Sequence, residues 1–285
     1  MYKRQEENPL TKYFRKPAIY ISLPTKGRFN PEIEQTIIDE VGVMPMTAID
    51  ELTLRNPDSL LNGEAMINLF KSCCPSIPNP RNLCNIDAEA LFLAVQYATY
   101  GKEITHSQKC SKCGNVSDFN IDINFLLNKF PDVQAIEPIL YEDLEIHMKP
   151  PSMESVTRVA LIQLEEQRIV QNLKTESLDN EDEIELAKRF YASFERVAKN
   201  NVDLLSETVS MIRTKDAEVT DRKQIIEFLG NIPSSIVGKI NKSVEQITKK
   251  PEDINTFKFV CPEAECGHKE TIKLEMNPVN FSVAG

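Results

Sequence analysis

The sequence offers little from which to build an active site. It has three histidines, His106, His147 and His268, and nine glycines in 285 residues. No histidine stands in a recognisable catalytic context, so the cysteines lack the imidazole base that nucleophilic chemistry asks for. The glycines form neither a phosphate-cradling loop nor a nucleophile elbow. No apolar run approaches the ~20 residues needed to span a bilayer. Near the start, Lys3, Arg4, Arg15 and Lys16 are interrupted by Glu6 and Glu7 with no apolar segment behind them, so no secretory leader is expected. Positive charge is in deficit, 33 Lys and Arg against 43 Asp and Glu, and the net charge of −10 repels nucleic acid and anionic lipid. The expectation is a soluble protein made in a reducing compartment, not an enzyme, binding neither nucleic acid nor membrane.

What the sequence does have is two stretches that look alike. Lys109-Cys110-Ser111-Lys112-Cys113-Gly114 and Val260-Cys261-Pro262-Glu263-Ala264-Glu265-Cys266-Gly267 each place two cysteines before a glycine, and alternating polar and apolar residues follow. The loop between such cysteines aims both sulfurs at one point, and the glycine supplies the positive φ of the turn. One knuckle gives two ligands, whereas a structural zinc takes four in a tetrahedron. The economical arrangement is one zinc per chain shared by Cys110, Cys113, Cys261 and Cys266. His268 is an alternative ligand to a cysteine of the second knuckle. The competing readings are buried thiols, which pack as small hydrophobes, and two separate disulfides, which a reducing compartment disfavours. Seven cysteines are an odd number for a disulfide framework. Cys73, Cys74 and Cys84 border helical patterns and are expected to be buried.

Along the chain, residues 1–16 carry charge without periodicity and are expected to form a flexible arm. Short strands are expected over 18–23 and 40–44, after which Thr47 is placed to cap a helix, with Asp50 and Glu51 in its first turns. Asp87 is expected to cap a second helix carrying Ala90, Leu91, Ala94, Val95 and Ala98, ended by Gly101. Phe119, Ile121 and Ile123 alternate as in a strand. Residues 144–148 form another strand, followed by Pro150-Pro151 and by Ser152 as a cap. Helical stripes follow on Val156, Val159, Ala160, Leu164 and Ile169, and then on Ile184, Ala187, Phe190, Tyr191, Phe194, Val197 and Ala198, with an acidic loop over 176–185 between them. Val202, Leu205, Val209 and Ile212 continue a helix to Lys215. Thr220 caps a helix over 221–229, and Pro233 starts a last one with Ile236, Ile240, Val244 and Ile247. The order strand, proline, hydroxyl cap, helix occurs twice, which suggests an internal duplication of about residues 40–125 and 140–276. The fold class is α+β, mainly α-helical with short strands, the knuckles forming a zinc-ribbon-like element. The expected units are the arm, an α+β subdomain over 17–139 with the first knuckle, and a mainly helical subdomain over 140–285 with the second.

The segments Leu23-Pro24-Thr25-Lys26-Gly27, Met44-Pro45-Met46-Thr47, Tyr97-Ala98-Thr99-Tyr100-Gly101 and Cys110-Ser111-Lys112-Cys113-Gly114 occur in an order that resembles the baseplate proteins of T-even-like tailed phages. Ile225-Ile226-Glu227-Phe228-Leu229 with Ile232-Pro233, running on to Cys261 and Cys266, fits the same family. The resemblance implies a non-enzymatic subunit or assembly factor of the central hub of a contractile-tail baseplate. It implies work in the host cytoplasm, a place in the virion tail for a subunit that stays, other baseplate or hub proteins as partners, and self-association as an option. The four cysteines carry over as the metal site, although the second knuckle has four residues between its cysteines where the first has two. The competing function is a zinc-ribbon nucleic-acid binder or transcription regulator, against which the net charge of −10 removes the counterion-release term.

Overall fold

The computed structural model describes residues 8, 10–30, 40–133, 136–176, 183–248 and 256–273. Residues 1–7 and 9 of the expected arm, and 177–182 of the expected acidic loop, lie outside them. Arg15, near the far end of that arm, is fastened. Its guanidinium donates to the Pro45 carbonyl at 2.6 Å, to Asp50 Oδ2 at 3.2 Å and to the carbonyl and hydroxyl of Ser72 at 2.8 and 2.6 Å.

The first half begins with β1 (Ile19–Ile21) and β2 (Val41–Val43), an antiparallel pair. Three helices follow, α1 (Ala48–Leu54), α2 (Pro57–Leu61) and α3 (Glu64–Cys73). Thr47 caps α1 as the sequence predicts, and Asp50 returns the bond to the Thr47 backbone, closing a capping box. Then comes α4 (Asn85–Tyr100), the centre of the first core. Its residues Ala88, Ala90, Leu91, Phe92, Leu93, Ala94 and Val95 are all buried, as expected of a helix that is apolar on every side. Around it pack Leu23, Val41, Val43, Leu54, Leu69, Phe70 and Ile121. Cys73 and Cys74 lie in this core and Cys84 beside it. Burial pushes their thiols up, to about 11 for Cys73 and about 12 for Cys84, with Cys74 raised further.

Asp87 corrects the sequence reading. The helix begins at Asn85 with Cys84 at the cap position, so Asp87 lies inside the first turn. Fully buried, it reaches across to the turn after β1, where Thr25 donates its N–H to Oδ1 at 2.9 Å and its hydroxyl to Oδ2 at 2.5 Å.

After α4 the chain forms the hairpin β3 (Glu103–Lys109) and β4 (Val116–Asp122), then α5 (Ile123–Leu127). The second half is built on an antiparallel sheet in the order β5 (Ile139–Tyr141), β6 (Leu144–Met148), β7 (Val209–Arg213), β8 (Glu218–Val219). Between β6 and β7 run α6 (Met153–Glu176), which Ser152 caps as predicted, and α7 (Glu183–Thr208). Arg158 pairs with Glu207 and Asp203, and Glu166 with Ser193 and Arg196, so the two helices are antiparallel.

The helix predicted to run to Lys215 stops at Thr208 instead. Val209–Arg213 is a strand, because its β-branched and apolar residues find β6 on one side and β8 on the other. The spacing of Val202, Leu205, Val209 and Ile212 fits a helix, but the last two are buried through the sheet. Next come α8 (Arg222–Asn231), capped by Asp221 rather than Thr220, and α9 (Ser234–Thr248). Ile146, Val209, Ile212, Ile225, Leu229, Ile236 and Ile240 form the second core. The hairpin β9 (Thr256–Val260) and β10 (Lys269–Lys273) ends the described chain. The two halves meet where Cys84 and Ser152 form a β-bridge, with the Met153 N–H donating to the Leu83 carbonyl at 2.8 Å. The architecture is α+β, with long helices and short strands.

Burial raises the Asp87 carboxyl to about 6, against the pull of its two Thr25 bonds. Between about pH 4 and 6 the native state therefore holds a proton that the unfolded chain releases, and stability from this group falls as pH rises. Asp87→Asn keeps both Thr25 contacts and should remove that part of the pH dependence. Asp87→Ala leaves the Thr25 N–H buried without its partner and should cost about 1–3 kcal/mol. Denaturant unfolding of the three proteins from pH 4 to 7 is the check.

Candidate metal centre

Each knuckle closes a hairpin. In the first, Lys109 faces Val116 in the ladder, and the Cys110 N–H donates to the Asn115 carbonyl at 2.8 Å. In the second, Val260 faces Lys269, and the Cys261 N–H donates to the His268 carbonyl at 2.9 Å. The bond from the first cysteine thus lands on the residue after the glycine in both. Gly114 (φ 74°) and Gly267 (φ 49°) adopt the left-handed conformation the turn requires. Each glycine N–H donates four residues back, Gly114 to the Cys110 carbonyl at 3.0 Å and Gly267 to the Glu263 carbonyl at 3.1 Å. Measured from the glycine, Glu263 therefore stands where Cys110 does. The two extra residues are absorbed ahead of the turn, and Cys261 still begins the loop directly after its strand.

This geometry brings together the four cysteines that the sequence singles out, 110, 113, 261 and 266, their sulfurs all within 4.8 Å of one another. Contacts cross between hairpins: Cys110 Sγ to Cys266 Sγ is 3.8 Å, and Cys113 Sγ to Cys261 Sγ is 3.6 Å. These are too long for a disulfide. They match the edge of a tetrahedron with metal–sulfur bonds of ~2.3 Å, which is ~3.8 Å. Cys110 and Cys261 are buried, Cys266 is half-buried and Cys113 is exposed. His268 is outside the cluster, joined to it through backbone. His106 lies edge-on to Phe119 with ring centroids 5.4 Å apart, and His147 is on β6 beside Glu145.

The electrostatics suit a cation. The backbone N–H of Cys113, helped by that of Lys112, outweighs burial and pulls the Cys110 thiol down to about 7. At Cys261 the Glu263 N–H pulls the same way, but burial and the sulfurs of Cys113, Cys110 and Cys266 prevail and push it up to about 12. Cys266 receives the His268 N–H and is also raised, by burial and by Cys113 and Cys110. Each thiolate that forms therefore opposes its neighbours, and a bound divalent cation offsets that repulsion.

Behind the sulfurs the hairpins are joined by rings and not by a ladder. Phe119 of β4 lies 6.4 Å from Phe257 and 5.9 Å from Phe259, both of β9, centroid to centroid. Ile272 completes this small core, and the Ser111 N–H donates to Glu270 at 3.4 Å. Sequence reasoning missed β3, β9 and the aromatic contact. The alternation of Phe257 and Phe259 with charged and polar residues was the available signal.

A family model described as T4 bacteriophage base plate protein matches residues 32–281. No curated protein and no solved structure matches the chain.

Because the sulfurs of one knuckle touch those of the other, Cys110→Ser should loosen both. Hydrogen exchange by mass spectrometry should show lost protection over 261–268 as well as 109–116. A change confined to the first knuckle would contradict the linkage.

Proposed function

This chain belongs to the family of T4 bacteriophage base plate proteins, and from that premise we propose that it acts, without catalysis, in the assembly or structure of the baseplate hub of a contractile tail, stabilised by one structural zinc. The observation that carries the zinc is the four-sulfur cluster, all within 4.8 Å of one another and with the two contacts between hairpins at 3.8 and 3.6 Å. Four thiolates fill a zinc's coordination and leave no open position for water, which suits a structural ion and not a catalytic one. Cys110, Cys113, Cys261 and Cys266 are the proposed ligands, and the stacked knuckle hairpins are the proposed zinc-ribbon-like element. The partners are other baseplate or hub proteins, met in the host cytoplasm during assembly, and a subunit that stays in the particle has its place in the tail baseplate. Among the described residues no helix is long and apolar enough to cross a membrane.

We keep the division into an arm over 1–16 and subdomains over 17–139 and 140–285 as part of this reading. It is supported by separate cores on α4 and on the four-stranded sheet. The proposed duplication rests on the order β2, Pro45, Thr47, α1 set against β6, Pro150-Pro151, Ser152, α6, each followed later by a knuckle hairpin.

Two measurements test the proposal. Elemental analysis of freshly purified protein should give one zinc per chain, and its removal by chelator should lower the unfolding temperature, since metal binding here is folding free energy. Two metals, or none, would refute the shared site. Quantitative mass spectrometry of tailed particles and of infected-cell lysate should find the chain either in a small fixed ratio to baseplate proteins or in lysate alone. The first outcome identifies a hub subunit and the second an assembly factor. Absence from both tail particles and tail-assembly intermediates would refute the function.

A further inference from the structure

We propose that the four-cysteine cluster is also an oxidative modification site, which a peroxide converts into two disulfides running across the hairpins, Cys110–Cys266 and Cys113–Cys261. The inference extends the reading of these cysteines as one site, but its geometry stands on the sulfurs themselves. The contacts of 3.8 and 3.6 Å both join one hairpin to the other, and together they use each sulfur once. Contraction to a bond of ~2.05 Å asks each side chain to move by about 1 Å. Each pair also combines a more exposed residue with a buried one: exposed Cys113 with buried Cys261, and half-buried Cys266 with buried Cys110.

That pairing defines the chemistry. Peroxide meets the sulfur of the more exposed residue, the O–O bond breaks, one oxygen stays as sulfenic acid and the other leaves as water. The buried partner then attacks that sulfur, the S–O bond breaks, the disulfide forms, and the second oxygen leaves as water with the thiol proton. Two electrons pass from each cysteine pair to one peroxide. Any zinc held by the four thiolates departs as Zn²⁺ as its ligands are consumed. The bond that replaces it spans the same two hairpins, so the join between positions 110–113 and 261–266 outlasts the ion. On the localisation proposed above, a clamp closed in the reducing interior of a cell would become covalent in oxidising medium.

The test uses the full chain, purified reduced and with its zinc content measured, then treated with hydrogen peroxide in the presence of a chromogenic chelator. After alkylation, cleavage at Lys112, Glu263 and Glu265 separates all four cysteines for mass spectrometry without reduction. Cross-linked peptides joining Cys110 to Cys266 and Cys113 to Cys261 are expected, with Cys73, Cys74 and Cys84 alkylated. Pairing within knuckles, the alternative pairing of Cys110 with Cys261 and Cys113 with Cys266, or oxidation to sulfinic acid without cross-links would overturn the inference. Zinc release without cross-knuckle disulfides sinks this inference and leaves the zinc reading intact. The expected disulfides without any zinc release do the reverse. Cys110→Ser should keep the Cys113–Cys261 cross-link and leave Cys266 unpaired.

Discussion

Four sulfurs within 4.8 Å of one another bring together positions that the chain separates by 148 and 156 residues. Closing a loop of that size costs roughly 4 kcal/mol in chain entropy, growing only with the logarithm of its length. The aromatic contacts behind the sulfurs add about 0.5–1.5 kcal/mol per pair to what the burial of Phe259 and Ile272 contributes. A structural zinc, worth about 10–16 kcal/mol in small zinc-binding folds, exceeds the closure cost several-fold. On the zinc proposed above, the ion would rank first, the phenylalanine cluster second, and the backbone knuckles would be the device that presents the ligands.

The sulfur cluster gathers the last hairpin onto the β3–β4 hairpin beside the first core. The two hydrophobic cores meet at the backbone junction of Cys84 with Ser152 and of Leu83 with Met153, at the start of the central helix and of α6. Met153 itself reaches into the first core, and Phe257 of the last hairpin packs against it. The buried Asp87–Thr25 contact plays a comparable part within the first half, holding the turn after β1 against the central helix.

Much of this was legible in the residue order. The two Cys-Gly knuckles, the caps at Thr47 and Ser152, the helix ending at Tyr100 and the buried thiols all depend on local chemistry that a short window contains. The Thr220 reading missed the cap by one residue, and the larger errors share a cause, which is a partner distant in sequence. Val209 and Ile212 keep helical spacing with Val202 and Leu205, yet β6, more than sixty positions earlier, makes them a strand. Asp87 carries a good capping residue type one turn too late, because its true partner is Thr25. The strand β3 alternates Ile104, His106 and Gln108 with exposed polar residues, so its inward face is only weakly apolar and its period was hard to see. The site residues were found because sulfur is rare and paired. Their common meeting point could be inferred only from the valence of a metal.

The placement of α6 and α7 has a consequence for how this fold tolerates change. They leave the sheet at β6 and return to it at β7, its immediate antiparallel neighbour, so the whole excursion is topologically a hairpin loop with a helical stem roughly 36–39 Å long. Because the register of β6 against β7 is fixed at the base, matched insertions or deletions of about seven residues in each helix would change the reach of the stem by roughly 10 Å while leaving its azimuth nearly constant. The reach of this stem is in effect a free parameter, separable from the sheet beneath it, and relatives that must span different gaps can differ there without rebuilding either core.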